Sequence, residues 1–347
     1  MGNAVLQRFE ILEVDAKQSI DWNRFVWTNP CGTIFQSYDM LKVYEASGMP
    51  AFILGLKRNE GFSSGLLAHF VCEREGVLSS LSRRCIVFGG PLYVRNGDLG
   101  GLAQLLQECK KRIRRRALFA EVKNHSFDSS PIRDIMISSG FEYNKHLNLL
   151  MDLTQPMQQI WCRLRDDRRK GIRKAERIGI SVEKATGRVD IAECYRLLKE
   201  TLTNARVPLA HHPSGSFLDN AFRLLDPAGL IHLFVARFDG RAVAASVVLS
   251  YKDRVYNWYQ GSALSYRRYR PNDVLVWQTM MWAKDHGYKV FDFLGAGTPG
   301  EEDGVRDFKS GYGAQLVEFG LYKLVNSPIR YMIAQKGFGL YRRFFLR

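Results

Sequence analysis

Residue type and spacing could carry chemistry in two glycine patterns, in the histidines and cysteines, and in two runs of basic side chains. Gly61-Phe62-Ser63-Ser64-Gly65 has the G-x-S-x-G form that displays a nucleophilic serine at a strand-to-helix turn. Here it joins two strand-like runs, so a hairpin turn is expected and not an acyl-serine. Gly295-Ala296-Gly297-Thr298-Pro299-Gly300 has the G-x-G-x-x-G spacing of a dinucleotide loop, which needs a helix N-terminus to receive a pyrophosphate. Glu301, Glu302 and Asp303 come directly after it instead and would repel phosphate, so no nicotinamide or flavin site is expected. Of seven histidines only His211 and His212 are adjacent, and sequence neighbours do not share a helix face. With no H-E-x-x-H and no carboxylate cluster, no metal site is expected. His69 and His232 fall inside strand-like runs and read as satisfied core or surface residues. A phosphate-binding lysine loop is absent, which removes the usual anchor for nucleotide hydrolysis. The six cysteines form no C-x-x-C pair, which argues against zinc and a disulfide framework and for a reducing, cytoplasmic setting.

The basic runs carry more. Lys and Arg number 50 against 35 Asp and Glu, a net charge of +15 over 347 residues. Residues 110–116 alone contribute +6 and residues 156–180 another +5. Charge this concentrated favours a polyanionic partner: nucleic acid, anionic lipid or a pyrophosphate-bearing substrate.

These groups need elements to hold them, and the chain spells one order of elements twice. In the first half a helix-like stretch (34–47) precedes strands at 51–57 and 66–72. The run 84–93, a helix from Leu99 to Arg116, a strand at 117–122 and the apolar run 140–153 come next. The second half repeats this as a helix at 216–225 and strands at 231–237, 242–250 and 254–262. A helix from Pro271 to His286, a strand at 289–295 and the run 314–324 complete it. Strands paired through short turns imply antiparallel ribbons, and the later strand–helix–strand implies a parallel crossover. An α/β class with two mixed-sheet domains from an internal duplication is expected.

Between the copies, residues 154–180 read as one basic connecting helix. Thr154 would cap it, Pro156 sits in its first turn, Gly179 stops it, and Ile160, Leu164, Ile172 and Ala175 lie on an apolar stripe. The expected domains are 1–153 and 181–347, joined by this helix. No run approaches the ~20 apolar residues of a membrane-spanning helix, and the N-terminus lacks the layout of a signal peptide.

The segment 289–326 resembles the Fem family, the peptidoglycan interpeptide-bridge aminoacyltransferases, through Asp292, Gly295, Gly304-Val305, Phe308-Lys309 and Gly313. The stretches 165–183, 120–125 and 140–153 agree with it. The resemblance implies tandem acyltransferase domains of the GNAT type, without the helical arm of some relatives. It implies transfer of an amino acid from aminoacyl-tRNA to an amine of a lipid-linked or nucleotide-linked cell-wall precursor, with no cofactor. Lys309, at the family's FK position, would stabilise the oxyanion or relay a proton. Phe308, Gln36, Tyr259 and Arg306 would contact substrate, and Arg169, Lys170, Arg173 and Lys174 would hold polyanion phosphates. The C-terminal run 329–347 mixes aromatic and basic residues, which suits peripheral contact with an anionic membrane, but Gly337 and Gly339 interrupt it and a helix packed on the domain is the stronger expectation.

Two alternatives remain at this level. An acyl-CoA or acyl-carrier donor in cell-surface polysaccharide synthesis would want a glycine-rich loop before the helix at 271, but Tyr266–Asp273 contains no glycine. A non-catalytic binding protein would keep the fold and charge without a reactive lysine.

Overall fold

In a computed structural model of the chain, the described residues are 9–58, 61–72, 82–94, 99–125, 130–205, 207 and 213–345. His211 and His212 lie outside them. The chain divides into two compact units. The first is Met1–Lys145 together with Phe319–Arg347, and the second is His146–Glu318.

The first unit opens with β1 (Phe9–Glu13), α1 (Ser19–Thr28), α2 (Tyr38–Ala46), β2 (Ala51–Arg58), β3 (Gly61–Cys72), β4 (Arg83–Phe88) and β5 (Leu92–Tyr93). It continues through α3 (Leu99–Arg114), β6 (Phe119–Lys123), α4 (Ser130–Ser138) and β7 (Glu142–Asn144). The second unit holds β8 (Leu147–Asp152), α5 (Met157–Arg163), α6 (Asp166–Arg177), β9 (Ser181–Ala185), α7 (Arg188–Asn204) and α8 (Gly215–Leu225). Then come β10 (Ile231–Phe238), β11 (Arg241–Tyr251), β12 (Arg254–Ser262), α9 (Pro271–Asp285), β13 (Val290–Gly295), α10 (Gly304–Ser310) and β14 (Gln315–Glu318). The chain returns to the first unit for β15 (Leu321–Val325) and α11 (Pro328–Phe345).

Each unit is built on one mixed sheet. The first runs β1-β2-β3-β4-β6-β15-β7, with β5 beside β3, and the second runs β14-β8-β13-β12-β11-β10-β9. Both contain the expected antiparallel ribbon (β2–β3, β10–β11) and a parallel crossover pair (β4–β6, β12–β13). The match arises from periodicity. Leu102, Leu106, Cys109 and Ile113 are buried on α3, and Val274, Trp277 and Met281 on α9. Helix α9 starts at Pro271, where the missing N–H costs nothing, and stops before Gly287, whose φ of 81° most side chains resist. Residues 61–65 open strand β3 and lead into no helix, so Ser63 is not on a nucleophile elbow.

Three features differ from the sequence expectation. The runs 140–153 and 314–324 each split between units: β7 stays in the first sheet while β8 joins the second, and β14 stays in the second while β15 joins the first. Each sheet therefore takes one strand from the other half of the sequence, and the boundaries at 153 and 181 move to 145/146 and 318/319. Apolar alternation marks a strand but says nothing about which edge will pair with it.

The second difference is in the connector, which is two helices inside the second unit and not one helix between domains. Leu164 turns extended (ψ 135°) and ends α5, while Asp166 and Asp167 supply acid for the first turn of α6. The Arg169 guanidinium donates to the freed carbonyls of Cys162 and Leu164 at 3.0 and 2.7 Å. The apolar stripe runs on through the break because Ile160, Leu164, Ile172 and Ala175 all enter the same core. Third, the helix-like stretch 34–47 is a 3-10 turn over Ile34–Gln36 and then α2, with the Ser37 hydroxyl accepting from the Met40 N–H at its start.

Candidate functional site

The second unit's parallel pair comes apart where a site is needed. Strands β12 and β13 pair only at Arg254–Tyr256 with Val290–Asp292, and beyond that register they diverge. In β12 the ladder with β11 skips Trp258, so a bulge sits there. The extra residue reverses the facing of the residues after it. Asn257 and Gln260 consequently share a face, and the Asn257 amide donates to Gln260 Oε1 at 3.1 Å. Tyr259 is half-buried beside Trp258, with ring centroids 4.6 Å apart, and burial raises its phenol pKa.

On the facing strand, Asp292 is fully buried. Its Oδ1 accepts from the Leu294 N–H at 2.8 Å and its Oδ2 from Arg254 Nη1 at 3.2 Å. The first bond holds Leu294 at φ 59°, in a region costly for a branched side chain, and the ladder with β8 is broken between Asp292 and Gly295. Burial pushes the Asp292 pKa up, and Arg254 pulls it back. The kink turns the Gly295 carbonyl to where Lys309 Nζ donates to it at 2.7 Å.

Lys309 comes from α10, whose start is fixed from two sides. Asp303 Oδ1 caps it, accepting from the N–H groups of Val305 and Arg306 at 2.8 and 3.1 Å. A Cβ at Gly297 would lie 2.6 Å from Asp303 Oδ2, so glycine there makes room for the cap. The Arg306 guanidinium donates to the carbonyls of Ala296 (3.2 Å), Thr298 (2.8 Å) and Glu301, clamping the 295–301 loop onto the helix. The Lys309 side chain is half-buried; burial brings its pKa down to about 8, opposed by Asp292 and Asp303. An amine with that pKa is mostly cationic at pH 7 and still able to exchange its proton. A groove of about 520 Å³ lies alongside α10, lined by residues that include Leu149, Glu302, Asp307, Ser310 and Leu316.

Helix α10 is tied to α6 and α9 through a buried charge network that sequence reading missed. Arg168 Nη1 contacts Asp273 Oδ1 at 2.6 Å, with 8% and 2% of the two side chains exposed. Arg270 reaches the other oxygen at 2.5 Å. The Arg168 guanidinium also lies 4.6 Å from the Phe308 ring centre, and Phe308 packs edge-on against Tyr312 at 5.4 Å. A Cβ at Gly171 would overlap Asp273 Oδ2. Arg165 bridges Asp167 (2.7 Å) and Asp307 (2.8 Å), and its N–H donates to the Gly311 carbonyl at 2.8 Å. Nothing in the basic run distinguishes Arg168 from its neighbours; the one usable signal was an acid, Asp273, in the first turn of a helix with basic residues before it.

The sequence-derived site residues fall into two groups. Tyr259 lies on β12 past the register that pairs with β13, and Lys309 reaches from α10 to the Gly295 carbonyl at the end of β13. Lys170, Arg173 and Lys174 are exposed on α6, Arg173 lying 5.5 Å from the Trp161 ring and Lys170 pairing with Asp166 at 2.7 Å. The other four have partners within the fold, and only Gln36 is closed off from a ligand. Gln36 is fully buried in the first unit with all four amide positions occupied: Oε1 accepts from the Thr33 N–H and hydroxyl, and Nε2 donates to the carbonyls of Gly89 and Gly90. Phe308 packs into the core against Arg168 and Tyr312, and Arg306 clamps a loop. Arg169 caps α5. Arg169, Arg306 and Phe308 keep part of their side chains exposed beside these contacts.

His69 and His232 are buried, one of the two settings expected: His69 stacks on Tyr44 at 4.1 Å, and His232 Nε2 meets Ser250 Oγ at 3.0 Å. Among the described residues no three His, Cys, Asp or Glu side chains gather where they could hold a metal ion. The pyrophosphate position at the start of α9 carries Asp273 and its two arginines, with Arg270 left-handed at φ 64° just before the helix.

Residues 163–310 match the family described as an acetyltransferase (GNAT) domain. No curated protein sequence matches the chain. Among solved structures, FemX is similar at 15% identity with a TM-score of 0.71, covering 94% of this chain and 100% of that one. The C-terminal domain of a putative lysylphosphatidylglycerol synthetase from Agrobacterium fabrum is similar at 14% identity and TM-score 0.57, covering 94% and 96%. A tandem GNAT protein from the clavulanic acid biosynthesis pathway shows 9% identity and TM-score 0.57, covering 92% and 99%. The fold is a Fem-like tandem of GNAT domains, and the matched domain supports an acyltransferase.

Proposed function

We propose that the chain is an N-acyltransferase that moves an aminoacyl group from aminoacyl-tRNA to an amine of a peptidoglycan precursor. The observation that carries this is Lys309, an amine with a pKa near 8 held 2.7 Å from the Gly295 carbonyl at the open end of the β12/β13 pair. In the reaction the acceptor nitrogen attacks the ester carbonyl and a C–N bond forms. The C–O bond to the tRNA ribose then breaks, and the proton lost by nitrogen ends on the departing hydroxyl. Negative charge develops on the carbonyl oxygen, where the Lys309 ammonium in a partly desolvated site would stabilise it. No covalent enzyme intermediate is required, because binding both substrates at one place removes most of the encounter entropy.

The donor class is supported by charge and by the start of α9. Lys170, Arg173, Lys174 and Arg177 form an exposed cationic face on α6, suited to a phosphate backbone. Coenzyme A would need free backbone N–H groups at the α9 N-terminus. Pro271 has none there, the Asp273 N–H is bonded to the Arg270 carbonyl at 3.0 Å, and a carboxylate occupies the position. The Fem-like segment 289–326 supports a cell-wall amine as acceptor.

The test is a donor competition. The protein is given labelled aminoacyl-tRNA with lipid-linked or nucleotide-linked precursor, and calorimetry with coenzyme A and acetyl-CoA is run in parallel. Transfer from the tRNA and no heat with either coenzyme is expected. Micromolar coenzyme A binding with transfer from an acyl-CoA would replace this reading with the acyl-CoA alternative.

A further inference from the structure

Helix α11 presents one face that the first unit does not use. Its inner side is anchored at Tyr331, which packs edge-on against Phe119 at 5.3 Å and accepts from Lys323 Nζ at 2.5 Å. The Tyr331 N–H donates to the Ser327 carbonyl, closing the first turn. On the far side Ile329, Met332 and Ile333 are 70%, 50% and 53% exposed. Residues 329, 332, 333 and 336 have the i, i+3, i+4, i+7 spacing of one helix stripe, opposite Tyr331. No other described helix exposes three large apolar side chains at this spacing. Lys336 extends the stripe and is exposed. The segment 328–347 contains five basic residues (Arg330, Lys336, Arg342, Arg343, Arg347) and no acid.

We propose that α11 is a surface anchor that lies on an anionic lipid bilayer, with Ile329, Met332 and Ile333 entering the boundary between headgroups and acyl chains. The pairing of properties identifies the occupant. An apolar stripe alone would fit a protein partner equally well. A stripe in a segment whose charged residues are all basic, on a chain of net charge +15, matches an interface that is negative at its rim and apolar just beneath. Among the described residues no helix is long and apolar enough to cross a membrane, so the contact is with one leaflet. The anchor does not depend on which group the second unit transfers.

The experiment is co-flotation of the full chain with vesicles of phosphatidylcholine alone and of phosphatidylcholine with phosphatidylglycerol. The anionic vesicles should bind the protein at least tenfold better than the neutral ones. Raising salt to about 0.5 M should weaken binding, because the Debye length then falls well below 10 Å. Ile329→Glu with Ile333→Glu should lower binding at least tenfold while leaving the thermal transition unchanged, since both side chains already face solvent. Lys336→Glu should reduce binding to anionic vesicles only. Equal binding of the double variant, equal affinity for neutral vesicles, or no flotation would each overturn the proposal. So would a concentration-dependent dimer that the double variant abolishes, since the stripe would then be a protein interface.

Discussion

Replacing Asp273 by alanine removes the buried carboxylate that the Arg168 guanidinium meets at 2.6 Å. Arg168 is 8% exposed and Asp273 2%, so the arginine would be left charged and desolvated, with only the half-exposed Asp167 carboxylate at 3.4 Å beside it. Breaking a buried pair from one side costs about 3–5 kcal/mol. In a unit the size of His146–Glu318, each kcal/mol lowers the melting temperature by about 2–4 °C, so a drop of about 6–20 °C is expected. Asp273→Asn keeps the shape and one acceptor, and should fall short of the alanine variant. Replacing both partners, Arg168→Met with Asp273→Leu, should recover most of the loss, because the desolvation cost vanishes with the charges. Calorimetry or denaturant unfolding of the four proteins reads this directly. The double variant should regain stability without regaining full transfer, since Phe308 loses the guanidinium that packs on it and α10 loses part of its support. An Asp273→Ala protein within about 1 kcal/mol of the parent would refute the reasoning, because that is the worth of an exposed pair.

The same geometry sets three further outcomes. The Lys309 amine has its pKa brought down to about 8 from 10.5, so the unfolded chain binds more protons between those values. Stability should rise with pH across that window, and Lys309→Met should flatten the slope in denaturant titrations. Transfer should fall through an inflection near pH 8 as the ammonium is lost, and Lys309→Arg should move that limb to higher pH. On α6, the triple change of Lys170, Arg173 and Lys174 to Glu should weaken tRNA binding and flatten its dependence on salt, measured by filter binding at several ionic strengths. In the first unit, Gln36→Leu leaves the Gly89 and Gly90 carbonyls and the Thr33 N–H without their buried partner, and should cost about 1–3 kcal/mol of stability in unfolding experiments.

The duplicated order of elements was readable because apolar side chains recur at helix and strand spacing in both halves, as in α3 and α9. The strand exchange was not, because the nearly continuous buried run Leu147–Asp152 and the alternating Leu321–Val325 each read as a strand and carry no mark of their partner sheet. The break at Leu164 was hidden because Ile160, Leu164 and Ile172 keep one apolar stripe across it. At the candidate site, the Asp292, Gly295, Phe308-Lys309 pattern singled out the segment in which Lys309 reaches the Gly295 carbonyl. It could not tell a side chain facing solvent from one engaged by the fold, as Gln36, Arg169, Arg306 and Phe308 are. Arg168 and Asp273 stand 105 positions apart, and only the packing of α6 on α9 brings them together.

If the Lys309 amine sits at the reacting carbonyl, its removal must slow the chemical step itself. Single-turnover transfer from labelled aminoacyl-tRNA, with the parent chain and with Lys309→Ala and Lys309→Arg matched for melting temperature, tests this most directly. Loss of about 2 kcal/mol or more of transition-state stabilisation in the alanine variant, a rate drop of roughly thirtyfold or beyond, with partial recovery in the arginine variant, is the expected result. An alanine variant that transfers at the parent rate would contradict it.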